Sequence, residues 1–248
     1  NLNFTQNNEE GQFSEDFQEK YMIAQKYKVN RIPGIFVATY NGNVVEAVNI
    51  NYQEHSDPVK VAKIFNTYAK RAKIITNALE KLQTIEGFAR VKIINKLYEA
   101  CSKSHLFEFN NYFSEVLTLD PTNKSGLLGR YKLHRAYTDS MTDLSEGNLE
   151  QATNRFLILT EEPDLLKDLE KQEAYYNIAF LYYVTQEPEF YNLIGHYLQK
   201  AYEAAPKSEL APTLAKILKD YNTSDSKDIS DKTENTQETT NFSQGDSN

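Results

Sequence analysis

The residues able to do chemistry in this sequence are few and far apart. Cys101 is the single cysteine, so the chain itself offers no disulfide, no C-x-x-C redox pair and no cysteine-based zinc site. Thiol–disulfide exchange needs a low-pKa thiolate beside a resolving thiol. Cys101 stands mid-helix by its pattern, with no second thiol, and reads as a small core residue. His55, His105, His134 and His196 are scattered at spacings that make no metal-ligand set. The carboxylates of Glu9-Glu10, Glu161-Glu162 and the 164–170 segment lack histidine or cysteine neighbours and read as solvated loop and helix-start charges. A glycine-rich phosphate loop, GxSxG, HExxH and EF-hand spacing are all absent. No catalytic residue, metal ligand or cofactor is therefore assigned.

Two features carry more. The first is a crowd of tyrosines, 17 in all. Tyr175, Tyr176, Tyr182, Tyr183, Tyr191 and Tyr197 fall on one pair of helical patterns. They form either a concave aromatic groove for a peptide or extended ligand, or a core in which tyrosine replaces leucine. The interleaving with Ala179, Phe180 and Leu181 favours the core. An interaction surface would use Tyr175, Tyr176, Tyr183 and Tyr191. The second feature is Ile32-Pro33, a proline at a sharp change of period.

The elements around that proline are the clearest in the chain. Leu2-Thr5 alternates like a short strand, and Ser14 to Tyr27 has helical spacing. After Ile32-Pro33, the run Ile35-Tyr40 is β-branched and aromatic and apolar on both faces, as an interior strand is. Asn41-Gly42 predicts a two-residue hairpin turn, and Val44-Val48 the returning strand. Asp57-Pro58 opens a helix with the stripe Val61, Ala62, Ile64, Phe65, Tyr68, Ala69 and Ala72, which either breaks near Arg71 or runs on to Leu82. From Ile74 to Asp220 the pattern is helical throughout. Helices are expected over 74–82, 87–103, 106–119, 125–144, 149–160, 165–185, 189–204 and 210–220, separated by short polar breaks that suit antiparallel pairs. The last stretch, from Asn222, has almost no apolar residues and is expected to stay disordered.

Composition sets outer bounds. A net charge of −8 argues against a general nucleic-acid binder. No run of eighteen apolar residues predicts a spanning helix. The chain begins at Asn1 without a signal-peptide pattern, which reads as a processing or expression boundary.

The stretches LNFTQNN, AQKYKVNRIPGIFVATYNGNVV and DPVKVAKIFNTYAK together resemble the second half of a thioredoxin-like domain. That resemblance implies a cis Ile32-Pro33 bond, with the backbone at Arg31 and Ile32 pairing with an extended peptide client. Gly34 departs from the small polar residue usual there. The larger departure is that the C-x-x-C half has no counterpart here, so the chain is expected to be a redox-inactive fragment of a longer precursor. Farther on, YFSEVLTLDPTNKSGLLGRY, and AYYNIAFLYY with YLQKAYEAAP, resemble tetratricopeptide repeats. The D-P-x-N turn at Asp120 and the Ala201–Pro206 offset carry that likeness.

The expected fold class is a truncated α/β thioredoxin-like domain followed by an all-α, TPR-like helical-hairpin domain, mostly α overall. Its expected divisions are 1–72, 73–220 and an acidic tail over 221–248. Two functions follow from the resemblances. One is a member of a thiol–disulfide exchange family with a helical protein-interaction extension. The other is a non-catalytic binding or scaffold protein with the thioredoxin-like part as a cap. Either implies a protein or peptide client, no nucleic acid and no transmembrane segment. By resemblance alone the bacterial periplasm or cell envelope is the expected location, with the cytoplasm as alternative.

Overall fold

The computed structural model of the protein describes residues 35–48 and 57–221, of which Ile35 is described by its backbone alone. The expected strand Leu2-Thr5, helix Ser14-Tyr27 and disordered tail from Asn222 lie outside the described residues, as does the Arg31-Ile32-Pro33 segment. The described chain is mostly helical, with one small sheet. It divides into two compact units, Asn1–Leu119 and Asp120–Asn248.

In the first unit, β1 (Ile35–Ala38) and β2 (Val44–Val48) form an antiparallel pair. The connection is not the two-residue turn expected from Asn41-Gly42. The Gly42 N–H donates to the Thr39 carbonyl and the Thr39 N–H to the Asn43 carbonyl, which encloses Tyr40, Asn41 and Gly42 in a three-residue loop. Asn41 stays out of the left-handed region that a two-residue Asn-Gly turn demands, and only Gly42 enters it, at φ +82°. The extra residue emerges as a bulge. Ala38 pairs with Val44 and Val37 with Glu46, so Val45 has no opposite number. This is why the neighbours Val44 and Val45 are both fully buried, a pattern that strict strand alternation forbids.

Helix α1 (Pro58–Leu82) starts where Asp57-Pro58 predicts it. The Asp57 carboxylate accepts the Val59 N–H at 2.8 Å, and Pro58 fills the first turn. It runs unbroken for 25 residues, past both Arg71 and Ala72. Its buried residues are Ile75, Ala78 and Leu82, and the stripe before them is only half covered. Then come α2 (Ala89–Ala100), a 3-10 segment (Lys103–Phe109) and α3 (Asn110–Leu119). Val91, Ile94 and Leu97 of α2 are buried, and Tyr98 meets Phe113 edge-on at 5.1 Å between centroids. Where one helix over 106–119 was expected, the chain instead makes the 3-10 segment before α3.

Arg71 knits this unit together. Its guanidinium donates to the Ala100 carbonyl at 2.9 Å, to Glu46 at 3.0 Å and to the Val45 carbonyl. Glu46 also accepts from the Ser102 hydroxyl, and Glu108 from the Val44 N–H. These contacts satisfy polar groups along β2 and at the end of α2.

The second unit opens on the Asp120 turn. The buried Asp120 carboxylate accepts the N–H groups of Lys124 and Ser125 at 2.7 and 2.9 Å, and the Ser125 hydroxyl. Helices α4 (Leu128–Ser145), α5 (Leu149–Glu161), α6 (Asp168–Thr185) and α7 (Tyr191–Ala204) follow, and a last helix, α8, covers 211–221. Contacts join α4 to α5, α5 to α6, α6 to α7, and α4 to α6. With connections this short, successive helices reverse direction and stack as hairpins. Helix α4 ends in a Schellman closure, Asn148 N–H to Asp143 O and Gly147 N–H to Leu144 O.

The α4–α5 pair is fastened by charge. Asp143 accepts from Arg155 through both carboxylate oxygens and from Gln151 at 3.1 Å, while Arg155 also reaches Asp139 at 3.2 Å. The hydrogen bonds from Arg155 hold the Asp143 carboxyl below the usual carboxylate range. A depressed carboxylate pKa stabilises the fold above the unfolded value, and that stabilisation is lost as pH falls through the folded one. Melting temperature is therefore expected to drop as pH is lowered below ~4. The slope should flatten in Asp143→Asn, and an unchanged slope there would contradict this role.

Candidate functional site

Tyrosines collect on the α6–α7 hairpin because both helices carry them at helical spacing. Tyr175 and Tyr182 are seven residues apart on α6, and Tyr197 faces them from α7. The rings of Tyr175 and Tyr197 lie 6.4 Å apart at an interplanar angle of 24°, and those of Tyr182 and Tyr197 are 6.0 Å apart at 15°. Phe190 extends the row, 5.1 Å from Tyr182. Lys200 Nζ stands 5.4 Å from the Tyr175 ring centre and 5.7 Å from that of Tyr197, within reach of cation–π attraction. Burial pushes the Tyr197 hydroxyl pKa up, with Tyr182 and Tyr175 adding to it.

The structure divides the expected surface residues. Tyr175 and Tyr176 are half-buried, as are Tyr182 and Tyr197, and all four pack on the core of Ala179, Ile194, Leu198, Ala201 and Leu214. Tyr183 and Tyr191 are exposed, at 66% and 54%. Phe180, one turn before Tyr183 on α6, and Val184, the residue after it, are exposed as well. Tyr191 meets Tyr221 of α8 at 5.8 Å, and the Tyr221 hydroxyl donates to the Tyr191 carbonyl. The hairpin thus presents an aromatic and aliphatic strip rooted in its own core. Phe190 and Lys200 were missed from sequence. Lys200 follows Tyr197 by three residues, a spacing that places both on one helix face.

Cys101 lies elsewhere in its helix than expected. Helix α2 ends at Ala100, and Cys101 is its extended C-cap because the Ala100 carbonyl is taken by Arg71 and the chain turns into the 3-10 segment. The side chain is buried. Burial pushes its thiol up to about 12, against the pull of Arg71 and with a further push from Glu108. Such a thiol carries almost no thiolate at neutral pH. Native protein at about pH 8 is expected to leave Cys101 unreacted with an aromatic disulfide reagent, and one thiol should appear on unfolding in urea. Rapid labelling of the native chain would contradict this environment.

Arg31, Ile32 and Pro33, the expected peptide-docking residues, lie outside the described residues. Among the described residues no group of histidine, cysteine and carboxylate side chains is placed to hold a metal ion. No helix there is long and apolar enough to cross a membrane. A family model described as "Uncharacterised protein C-terminal domain" matches residues 127–227, which takes in α4 to α8. No curated protein and no solved structure matches the chain.

Proposed function

We propose that this chain is a protein-binding module whose working part is the helical-hairpin unit of α4 to α8. The observation that carries this reading is the exposed strip of Phe180, Tyr183, Val184 and Tyr191 on a hairpin whose tyrosine row is anchored in the core. Rigid, amphipathic tyrosines bury area at small entropic cost and are favoured at interfaces. The stacking order, each helix on the next and α4 on α6, supports a tetratricopeptide-like arrangement. In the first unit, the order hairpin then α1 supports kinship with the second half of a thioredoxin-like domain, acting as a structural cap. The buried, high-pKa Cys101 supports a binding role over thiol–disulfide exchange by this chain. The client is an extended peptide or protein segment with apolar side chains.

Selection from a displayed random-peptide library tests the reading. Enriched peptides should bind the intact chain, and Tyr183→Ser with Tyr191→Ser together should weaken them by at least about tenfold. Equal affinity for the double variant, or no enrichment, would remove the proposed face from consideration.

A further inference from the structure

Helix α1 has a charge pattern that neither its own stability nor the binding face of α6 and α7 explains. In a chain of net charge −8, it carries Lys60, Lys63, Lys70, Arg71, Lys73 and Lys81 against one acid, Glu80. Arg71 turns inward to Glu46 and two backbone carbonyls. The five lysines are all exposed, and none pairs with a described acid. Lys63, Lys70, Lys73 and Lys81 share one flank of the helix, clear of the side that holds Ile75, Ala78 and Leu82. Val59 and Ile74, exposed at 76% and 45%, sit among them.

This arrangement works against the helix. Lys60 stands in the first turn, where the helix dipole repels cations, with the N-cap Asp57 as the acid at that end. Lys60 with Lys63, and Lys70 with Lys73, are like charges three residues apart. Like any helix face it is convex, and it spans roughly 30 Å from Val59 to Lys81. It is built from lysine, a hydrated point charge, and lacks the arginine fork that reads individual carboxylates or phosphates. A convex, non-directional lysine ridge with two exposed aliphatic side chains fits a flat anionic surface better than a groove-seeking peptide.

We infer that α1 attaches this protein peripherally to an anionic lipid surface, its lysines against the headgroups and Val59 and Ile74 at the interface. The attraction is electrostatic and should weaken steeply with salt.

Co-sedimentation of the full chain with lipid vesicles tests this. At low salt it should bind vesicles of phosphatidylglycerol and phosphatidylcholine in equal parts and not those of phosphatidylcholine alone. Lys63→Gln, Lys70→Gln, Lys73→Gln and Lys81→Gln together should lower the partition coefficient by about 100-fold or more. Their melting temperature should match the parent, since all four side chains are exposed and make no ion pair among the described residues. Single Lys60→Gln and Val59→Ser variants, each expected to weaken binding severalfold, keep the test open should the fourfold variant not fold. No binding to the anionic vesicles, equal binding by the fourfold variant, or binding to poly-glutamate or duplex DNA in place of vesicles would each overturn the inference.

Discussion

Gly129→Ala is expected to destabilise the second unit by about 3 kcal/mol or more, despite replacing a helical glycine with the best helix former. An ideal Cβ at Gly129 would stand 2.2 Å from the Leu165 carbonyl oxygen and 3.1 Å from the Leu166 side chain. The obstacle is backbone, so it cannot rotate away. Helix α4 must move off the 162–167 connection, and that shift unseats Leu165 and Leu166, which are both buried. The intrinsic helix preference of alanine returns at most about 1 kcal/mol. Urea unfolding followed by circular dichroism measures the balance. A loss below ~1 kcal/mol would mean that α4 does not approach the connection so closely.

The second large effect is expected at Gln172. Its side chain is buried near the start of α6, and its amide nitrogen donates to the Ala201 carbonyl at 3.0 Å and the Ala205 carbonyl at 3.1 Å. Those are carbonyls at the C-terminal end of α7, where helical partners run out. Gln172→Leu keeps the volume and removes both donors, leaving the Ala201 carbonyl unsatisfied beside the core, while the Ala205 carbonyl keeps the Ser208 N–H at 3.1 Å. At roughly 1–3 kcal/mol for the stranded carbonyl, with the second bond lost as well, a loss of about 2–3 kcal/mol is expected. Gln199→Leu is the matched control. Gln199 bonds only the neighbouring Glu203 on the exposed face, so its loss should stay within about 0.5 kcal/mol. Similar losses in the two variants would remove the capping role of Gln172.

These two positions also mark where the sequence falls silent. Periodic stripes and polar breaks locate the helices, and α4 to α7 begin and end within a few residues of the spans they predict. Strand β2 occupies the residues Val44 to Val48 that its pattern assigns. Local chemistry suffices for such features, because each cap or stripe lies within its own segment. The Gly129 approach and the Gln172 cap depend on partners about 30 residues away, and nothing at either position announces them. The three-residue hairpin loop was missed for a related reason. Asn41-Gly42 is compatible with two registers, and the choice between them goes with the bulge that buries Val44 and Val45 together. Likewise α2 stops at Ala100 because Arg71, 29 residues away, claims the terminal carbonyl. At the candidate site, the crowd of tyrosines was legible. Which of them root in the core and which stay exposed was not, because Tyr182 and Tyr183 are adjacent in sequence and differ only in where α7 packs.

The proposal that the α6–α7 strip is the working face is tested most directly by mapping where a selected peptide binds. Amide chemical shifts of the isotopically labelled full chain, followed during titration, would locate it. Perturbations are expected to centre on Phe180, Tyr183, Val184 and Tyr191, with the hairpin at Val37 and Val44 unmoved. Perturbations concentrated on that hairpin, with Tyr183 and Tyr191 silent, would contradict it and return the peptide site to the β-strand end of the chain.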